Sequence, residues 1–194
     1  MVKMQQQSII GWDIGGAHVK AVLLDKNGII SKVFQQPCPL WQGMDFLKQA
    51  IDFILAKLPE NEHPENKYRH AITMTGELVD LFDGRDHGVK QIISAMQDYL
   101  AGSELYIYAG LEGLFRPDQI KAEHYASIAS ANWLASASLA ADKLKNGLFI
   151  DIGSTTTDIL VLSGHKVQAI GLTDYERLIS DELVYTNEIG RAHV

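Results

Sequence analysis

The amino-acid sequence predicts an α/β protein with an internal duplication, and three observations support this fold class. Apolar runs of strand length alternate with apolar residues at helical spacing. Two of these runs end in an aspartate followed by a glycine-containing turn, at residues 13–16 and 151–154. Each turn opens a new series of strands, so that the order β-β-β-α-β-α-β-α is followed by a second β-β-β. We therefore expect two halves of similar architecture, of which the second is cut short.

Apolar periodicity and turn residues predict the elements of the first half. The tight-turn dipeptide Asn27-Gly28 separates two apolar stretches and indicates a hairpin. We expect an antiparallel meander of three strands, at residues 8–14, 19–25 and 29–35. Apolar residues at helical spacing predict two helices, and buried apolar runs predict two further strands. The helices are expected at residues 44–58 and 88–100, and the strands at residues 70–74 and 105–110.

The elements after residue 120 are predicted in the same way. The Ala- and Ser-rich residues 123–143 have the composition of a tightly packed helix. Residues 148–162 predict the second hairpin, whose strand continues over residues 166–171. Thr173 and Glu176 have the spacing of a capping box and predict a final helix over residues 173–183.

The last seven residues of the chain are expected not to belong to the native protein. Residues 188–194, EIGRAHV, back-translate to a string that contains the start of a common sequencing adapter. We therefore expect the native gene to continue past Asn187. The predicted domains are residues 1–145 and residues 146–187, which begin an incomplete second subdomain. Because an incomplete sheet exposes strand edges and apolar surface, we expect the 194-residue polypeptide itself to be inactive and poorly stable.

Composition restricts the class of partner. A net charge of -7 argues against nucleic-acid binding, which usually requires a basic excess. The sequence has no signal-peptide core and no apolar run near the roughly 20 residues of a membrane span. We therefore expect a cytoplasmic protein that binds neither nucleic acid nor a membrane, and we leave its oligomeric state open. The one cysteine, Cys38, excludes an internal disulfide and a thiolate metal cluster.

The two Asp-x-Gly turns carry the residues that we expect to bind a phosphorylated small molecule. Glycine lets the backbone approach an anion, and the N–H groups of the turn then point at phosphate oxygens. Asp13 and Asp151 end their strands and are expected to hold Mg²⁺. Two such turns facing each other would clamp a di- or triphosphate from both sides. The residues expected to hold phosphate are Gly15, Gly16, Gly153, Ser154, Thr155 and Thr156.

Several polar residues near these turns have two open interpretations. Lys20 either neutralises phosphate charge or is an outward-facing strand lysine. Asp158 is either an outer group of the metal site, which we favour, or a polar residue at a strand end. Glu77 follows a predicted buried strand, where sites of α/β proteins tend to lie. It is either a general base or, ahead of that, an acid that complements a helix dipole.

Three further residues are candidates for contacts or packing near the site. Arg85 either contacts a carboxylate or phosphate or is a solvated loop residue. Trp133 is expected to serve packing, as large aromatic residues usually do. Asn132 is a candidate for a hydrogen bond to a substrate.

Paired Asp-x-Gly hairpins in duplicated halves resemble the actin/Hsp70/hexokinase superfamily. This resemblance implies an actin-like ATPase (ribonuclease H-like) duplicated fold with a truncated second half. Within the superfamily the sequence is similar to the hydantoinase/oxoprolinase-like proteins, and most to their tetrahydromethanopterin-linked C1-transfer branch. The similar segments are GWDIGGAHVKAVLLD, ITMTGELVDLFDGRDHGV, ASANWLASA, FIDIGSTTTDILVL and GLTDYERLISDELVYT.

The resemblance also implies a reaction. Members of this branch include a transferase of methanofuran biosynthesis, which condenses a furan-methyl diphosphate with the phenol of a (glutamyl)tyramine and releases pyrophosphate. Catalytic roles would then fall to Asp13, Asp151 and Glu77, with Mg²⁺ as cofactor and the diphosphate substrate or ATP as ligand. One alternative is an ATP-dependent hydantoinase/oxoprolinase-type hydrolase or small-molecule kinase. Another is a non-enzymatic nucleotide-dependent switch.

Overall fold

The computed structural model describes residues 7–59, 68–153 and 156–185 of the chain. The chain divides into two compact units, Met1–Asn132 and Trp133–Val194, and each is described by itself. Ser154, Thr155 and the suspected adapter tail lie outside the described residues.

The first unit is built on a six-stranded mixed sheet in the order β3-β2-β1-β4-β5-β6. The first three strands pair antiparallel, which confirms the predicted meander. β4 pairs in parallel with both β1 and β5, so the carboxyl ends of these three strands meet at one edge of the sheet. The strands are β1 (Ser8–Ile14), β2 (His18–Leu24), β3 (Ile30–Pro37), β4 (Tyr68–Met74), β5 (Glu104–Tyr108) and β6 (Leu114–Phe115).

Two long helices cover one face of this sheet. α1 (Met44–Leu55) and α2 (Arg85–Tyr99) confirm the predicted helices, although α2 begins three residues earlier than expected. Their buried residues recur every three or four positions, as an amphipathic helix requires. They belong to the same core as the alternating buried residues of β1 and β2. The buried helix residues are Leu47, Ala50, Ile51 and Ile54 in α1, and Gly88, Val89, Ile92, Ile93 and Met96 in α2.

The prediction of one helix over residues 123–143 is wrong. A four-residue helix, α3 (Tyr125–Ile128), ends before Ser130, which has a positive φ of 53°. A second helix, α4 (Asn132–Lys143), then begins. Between them, Ala129 forms a parallel bridge with Met74 at the end of β4. This pairing with the sheet interrupts a segment that alanine content alone would make helical.

The second unit contains the second hairpin, as predicted. β8 pairs with β7, β9 and β10 in a four-stranded sheet. Thr173 caps the next helix, since its Oγ1 accepts a hydrogen bond from the Glu176 amide over 3.2 Å. This confirms the capping box. The elements are β7 (Asn146–Ile152), β8 (Thr156–Ser163), β9 (Lys166–Val167), α5 (Asp174–Ile179) and β10 (Leu183–Tyr185).

Two boundaries predicted in this unit are wrong. The strand expected over residues 166–171 ends at Val167, and the helix expected to reach residue 183 ends at Ile179. Asp181 has a positive φ of 59°, which reverses the chain so that Leu183–Tyr185 pairs with β8. In residues 7–59, 68–153 and 156–185, every helix is too short or too polar to cross a membrane.

Candidate functional site

The two Asp-x-Gly turns share one backbone geometry, each within its own unit. The Gly15 amide donates to the His18 carbonyl over 3.0 Å, and the Gly153 amide donates to the Thr156 carbonyl over 2.8 Å. A Cβ added at Gly15 would lie 2.8 Å from the His18 oxygen, and one at Gly153 would lie 3.0 Å from the Thr156 oxygen. A Cβ at Gly15 would force the turn to shift, and one at Gly153 would make an unusually tight contact, so glycine suits both turns.

Neighbouring segments hold the first turn from two sides. The Thr75 amide donates to the Ile14 carbonyl, and the Leu40 amide donates to the Gly16 carbonyl, each over 2.9 Å. A Cβ at Gly76 would lie only 3.1 Å from the Ile14 oxygen. The turn therefore has little freedom to rearrange, which favours binding by a backbone that is already in place.

A row of polar side chains crosses the sheet beside this turn. Asp13 on β1 lies opposite Lys20 on β2 and opposite Thr73 on β4. Lys20 Nζ is 3.3 Å from Asp13 Oδ2. Asp13 Oδ1 and Thr73 Oγ1 are both buried, and among the described residues neither has a hydrogen-bond partner. Because an unsatisfied buried polar atom costs about 1–3 kcal/mol, these two atoms mark a place where a ligand would be stabilised.

The donor set of this row fits a hard cation. Carboxylate and hydroxyl oxygens suit Mg²⁺, which is commonly bound by one or two protein groups together with water and substrate phosphates. In the described parts of the chain, no three His, Cys, Asp or Glu side chains gather as a metal site. A Mg²⁺ ion at this row would therefore rely on Asp13 and Thr73 and on oxygens of the ligand. Thr73 was not predicted, because its place opposite Asp13 depends on the parallel pairing of β1 with β4, which the sequence does not reveal.

Glu77 lies two residues after Thr75 and is wholly enclosed, with no exposed side-chain surface. Its Oε1 accepts a hydrogen bond from Ser130 Oγ over 2.7 Å. Arg85 Nε is 3.8 Å from the same oxygen. Glu77 Oε2 and Arg85 Nε are buried, and no described residue bonds to them. Arg85 therefore lies beside a carboxylate, one of its expected roles, whereas the contact with Ser130 was not predicted.

A buried arginine offsets negative charge on the second hairpin. Asp158 lies opposite Asp151 in the register of β7 and β8. Its carboxylate accepts a hydrogen bond from Arg177, whose side chain is only 2% exposed. The Arg177 guanidinium lies over the Trp133 ring, 3.8 Å from its centroid, and 3.9 Å from Asp174. Arg177 thus offsets one of two neighbouring negative charges, a role that the sequence did not reveal.

Burial controls the ionisation of two groups in the first unit. Trp12 Nε1 donates to His70 Nδ1 over 3.0 Å, and burial lowers the pKa of His70 to about 4. Burial raises the pKa of Cys38 to about 11. The Cys38 thiol is therefore neutral at pH 7 and a poor nucleophile.

Comparison with known families identifies the chain. The model of the family described as Hydantoinase/oxoprolinase matches residues 69–190, more than half of the sequence. The chain belongs to the hydantoinase/oxoprolinase family. The matched region contains Thr73, Glu77, Ser130 and the whole second hairpin. The family resemblance of the sequence is thereby confirmed.

Two known proteins add to this family assignment. The chain is 28% identical over 182 residues to the (4-{4-[2-(gamma-L-glutamylamino)ethyl]phenoxymethyl}furan-2-yl)methanamine synthase of Methanocaldococcus jannaschii, covering 93% of this chain and 51% of that protein. An exopolyphosphatase from Cytophaga hutchinsonii has a similar structure, with a TM-score of 0.51 and 12% identity, over 90% of this chain and 53% of that one. The chain thus spans about half the length of the relatives it matches. The predicted actin-like α/β fold is confirmed.

Proposed function

We propose that this chain carries the diphosphate-binding loops of an ether-forming transferase of methanofuran biosynthesis, in the tetrahydromethanopterin-linked C1 pathway. The reaction would join a furan-methyl diphosphate to the phenol of a (glutamyl)tyramine. The name of the archaeal relative supports this proposal, because its product has a phenoxymethyl link between a substituted ring and a furan methanamine. The relative's activity is thereby extended to this chain as a hypothesis.

The observation that best supports this proposal is the geometry of the first turn, which lies beside Asp13. Its Gly15-Gly16 backbone is fixed by hydrogen bonds, and the adjoining Oδ1 of Asp13 is buried without a partner. The Gly15 amide already donates to the His18 carbonyl, so the remaining N–H groups of the turn would have to stabilise the charge that develops on a departing diphosphate. Lys20, whose side chain is 58% exposed beside Asp13, is available to neutralise phosphate charge. These features fit a diphosphate as the bound group.

The proposed reaction balances without ATP. The phenol oxygen attacks the methylene carbon of the furan-methyl diphosphate and forms the new C–O bond. The bond between that carbon and the diphosphate oxygen breaks, and pyrophosphate leaves with the electron pair. The phenol proton passes to a base or to water. A bound Mg²⁺ would supply positive charge that stabilises the leaving diphosphate.

The second hairpin is proposed to supply the matching phosphate-binding turn. Gly153 has the same turn geometry as Gly15, and Thr156 offers a hydroxyl beside it. Asp151 is exposed and is the metal-binding candidate of this turn. For Ser154 and Thr155 the proposal rests on the sequence alone.

Glu77 has two possible places in this proposal. As the base for the phenol proton, it would need residues 75–79 to open, because its side chain has no exposed surface. As a positioning residue, it would act in the conformation observed. The contacts of Glu77 favour the second role.

The family supports one second candidate, an ATP-dependent hydrolase of the hydantoinase/oxoprolinase type. Both candidates would use the turns at Gly15 and Gly153 to hold phosphate. They differ in the ligand, since the hydrolase must turn over ATP and the transferase must not.

A hybrid protein allows turnover of the proposed transferase reaction to be measured. Because the chain covers 51% of the M. jannaschii synthase, it can replace the matching half of that protein. The hybrid is incubated with Mg²⁺, furan-methyl diphosphate and glutamyl-tyramine, and the ether is measured by mass spectrometry. We expect one pyrophosphate per ether and no ADP when ATP is added. ATP hydrolysis without ether formation would support the hydrolase and reject the transferase.

A further inference from the structure

The buried residues Glu77 and Ser130, together with the partly exposed Arg85, form a group that the phosphate turns do not explain, called here the Glu77 cluster. Its central contact is the 2.7 Å hydrogen bond from Ser130 Oγ to Glu77 Oε1. Glu77 is 1% exposed and Ser130 is 7% exposed. A carboxylate this enclosed needs hydrogen bonds or charge partners, and Ser130 and Arg85 are those that the structure places beside it.

Ser130 adopts a backbone conformation that serine seldom has. Its φ of 53° lies in the left-handed region, which costs a non-glycine residue about 1 kcal/mol or more. Glycine or asparagine would relieve that strain, but glycine would remove the hydroxyl that bonds to Glu77. The bridge between Ala129 and Met74 holds the backbone next to Ser130. Strain of this kind persists only where surrounding contacts enforce it.

The other end of the cluster lies against the first turn. Glu77 belongs to the short 3-10 helix Gly76–Leu78. This helix directly follows Thr75, whose amide donates to the Ile14 carbonyl. A Cβ at Gly16 would lie 2.7 Å from Val79 Cγ1, so the segment also packs on the turn beyond Glu77.

Helix α2 fixes Glu77 from a second direction. A Cβ at Gly88 would lie 2.6 Å from the Glu77 carbonyl oxygen, which shows how closely the N-terminal residues of α2 pack on Glu77. Arg85, at the start of the same helix, places Nε 3.8 Å from the carboxylate. Glu77 is thus held at its backbone by α2 and at its side chain by Ser130.

We propose that Glu77 and Ser130 are positioning residues, whose hydrogen bond holds residues 75–79 against the first turn and so keeps its phosphate-binding backbone in place. The inference rests on the proposed function only for the ligand of that turn. It adds two residues that act through the backbone and do not touch the substrate. It also differs from the base hypothesis, in which Glu77 itself takes the phenol proton.

The positioning role and the base role of Glu77 predict different effects of substitution. Glu77→Gln keeps an oxygen that accepts from Ser130, so the positioning role predicts unchanged exchange at Thr75, whereas the base role predicts loss of ether formation in the hybrid protein. Glu77→Ala removes the acceptor. Ser130→Gly removes the donor but suits a positive φ, so that any loss cannot be attributed to backbone strain. The double variant Glu77→Ala/Ser130→Gly measures the coupling of the pair.

Two measurements on the 194-residue chain test the inference. The first is amide hydrogen exchange at Thr75, whose N–H bonds to Ile14, with the Ala56 amide at the end of α1 as control. The second is the affinity for inorganic pyrophosphate with Mg²⁺, measured by calorimetry. We expect Ser130→Gly and Glu77→Ala each to speed exchange at Thr75 and to weaken pyrophosphate binding, both by about tenfold. Glu77→Gln should stay within about twofold of wild type, and the double variant should be no worse than the more severe single one.

Each outcome bears on a separate claim. Unchanged Thr75 exchange in Ser130→Gly overturns the positioning role, whatever happens to the ligand. Exchange that rises equally at Thr75 and Ala56 also overturns it, because the effect is then general unfolding. If the wild-type chain does not bind pyrophosphate, the proposed function fails while the exchange result still decides the role of Ser130.

Discussion

Lys20 faces Asp13 across the first hairpin, with its Nζ 3.3 Å from Oδ2. In the second hairpin the residue at the position of Lys20 is Asp158, which faces Asp151. The cation there comes from Arg177, a buried residue of α5. The two hairpins therefore share their turn geometry but obtain their positive charge from different elements. A carboxylate alone would repel a phosphate ligand, so a cation beside each carboxylate would favour the phosphate binding that we propose for these turns.

The first turn is predicted to tolerate no side chain. Gly15→Ala places a Cβ 2.8 Å from the His18 carbonyl oxygen, so the turn must distort. We expect the free energy of unfolding to fall by about 1–3 kcal/mol and pyrophosphate affinity to fall by tenfold or more. Calorimetry and urea denaturation measure the two effects. Gly84→Ala is the matched control, since its added Cβ meets nothing within 4 Å, and equal losses in both variants would contradict the prediction.

The Thr73 hydroxyl is predicted to lower the stability of the fold slightly and to strengthen ligand binding. Thr73→Val removes a buried hydroxyl that has no partner among the described residues and keeps the shape of the side chain. We expect the free energy of unfolding to stay the same or to rise by up to about 1 kcal/mol. Mg²⁺-dependent pyrophosphate binding should weaken by about tenfold, because Thr73 lies opposite Asp13. Thr73→Ser should retain binding, and a Val variant with unchanged affinity would show that the hydroxyl does not contact the ligand or its metal.

Arg177 is predicted to be essential for the second unit. Its side chain is 2% exposed, and Arg177→Leu leaves Asp158, 16% exposed, without its partner. Breaking a buried ion pair in this way costs about 3–5 kcal/mol, whereas Arg177→Leu/Asp158→Leu should recover much of that loss. Urea denaturation measures both variants. Arg116→Leu is the control, because its side chain is 58% exposed, and a similar loss there would disprove the special role of Arg177.

The stability of the first unit is predicted to depend on His70 in mild acid. Burial lowers the pKa of His70 from 6.5 to about 4, so the folded state favours the neutral ring. This contribution is complete above pH 6.5 and is lost as the pH falls from 6.5 towards 4, by about 3 kcal/mol in total. His70→Gln can still accept from Trp12 but cannot titrate in this range. Urea denaturation between pH 7.5 and 4 should therefore show a smaller loss in the variant, and identical pH profiles would exclude His70 as the cause.

Local patterns predicted those elements whose residues interact with near neighbours in the chain. The alternating apolar residues of Ser8–Ile14 and the capping box at Thr173 are examples, because strand alternation and helix capping are local effects. The break at Ser130 was missed because it depends on a bridge from Ala129 to Met74, far away in the sequence. Alanine-rich composition carries no sign of such a contact.

The candidate site was predictable in its turns but not in its supporting contacts. Asp13 and Gly15 could be found from the sequence because a strand, an acid and a glycine turn lie in direct succession. The bond between Ser130 and Glu77 joins residues 53 positions apart. Arg177 looks like a solvated helix residue until the fold encloses it beside Asp158. Pairings of this kind depend on tertiary structure, which periodicity does not encode.

The central claim is that the first turn holds a diphosphate with a metal at Asp13. The most direct measurement is calorimetric titration of the hybrid protein with furan-methyl diphosphate and, separately, with ATP, each with and without Mg²⁺. We predict Mg²⁺-dependent binding of the furan-methyl diphosphate that is weakened at least tenfold in Asp13→Asn, and weaker binding of ATP without hydrolysis. Tight binding and hydrolysis of ATP, with no affinity for the furan-methyl diphosphate, would contradict the account.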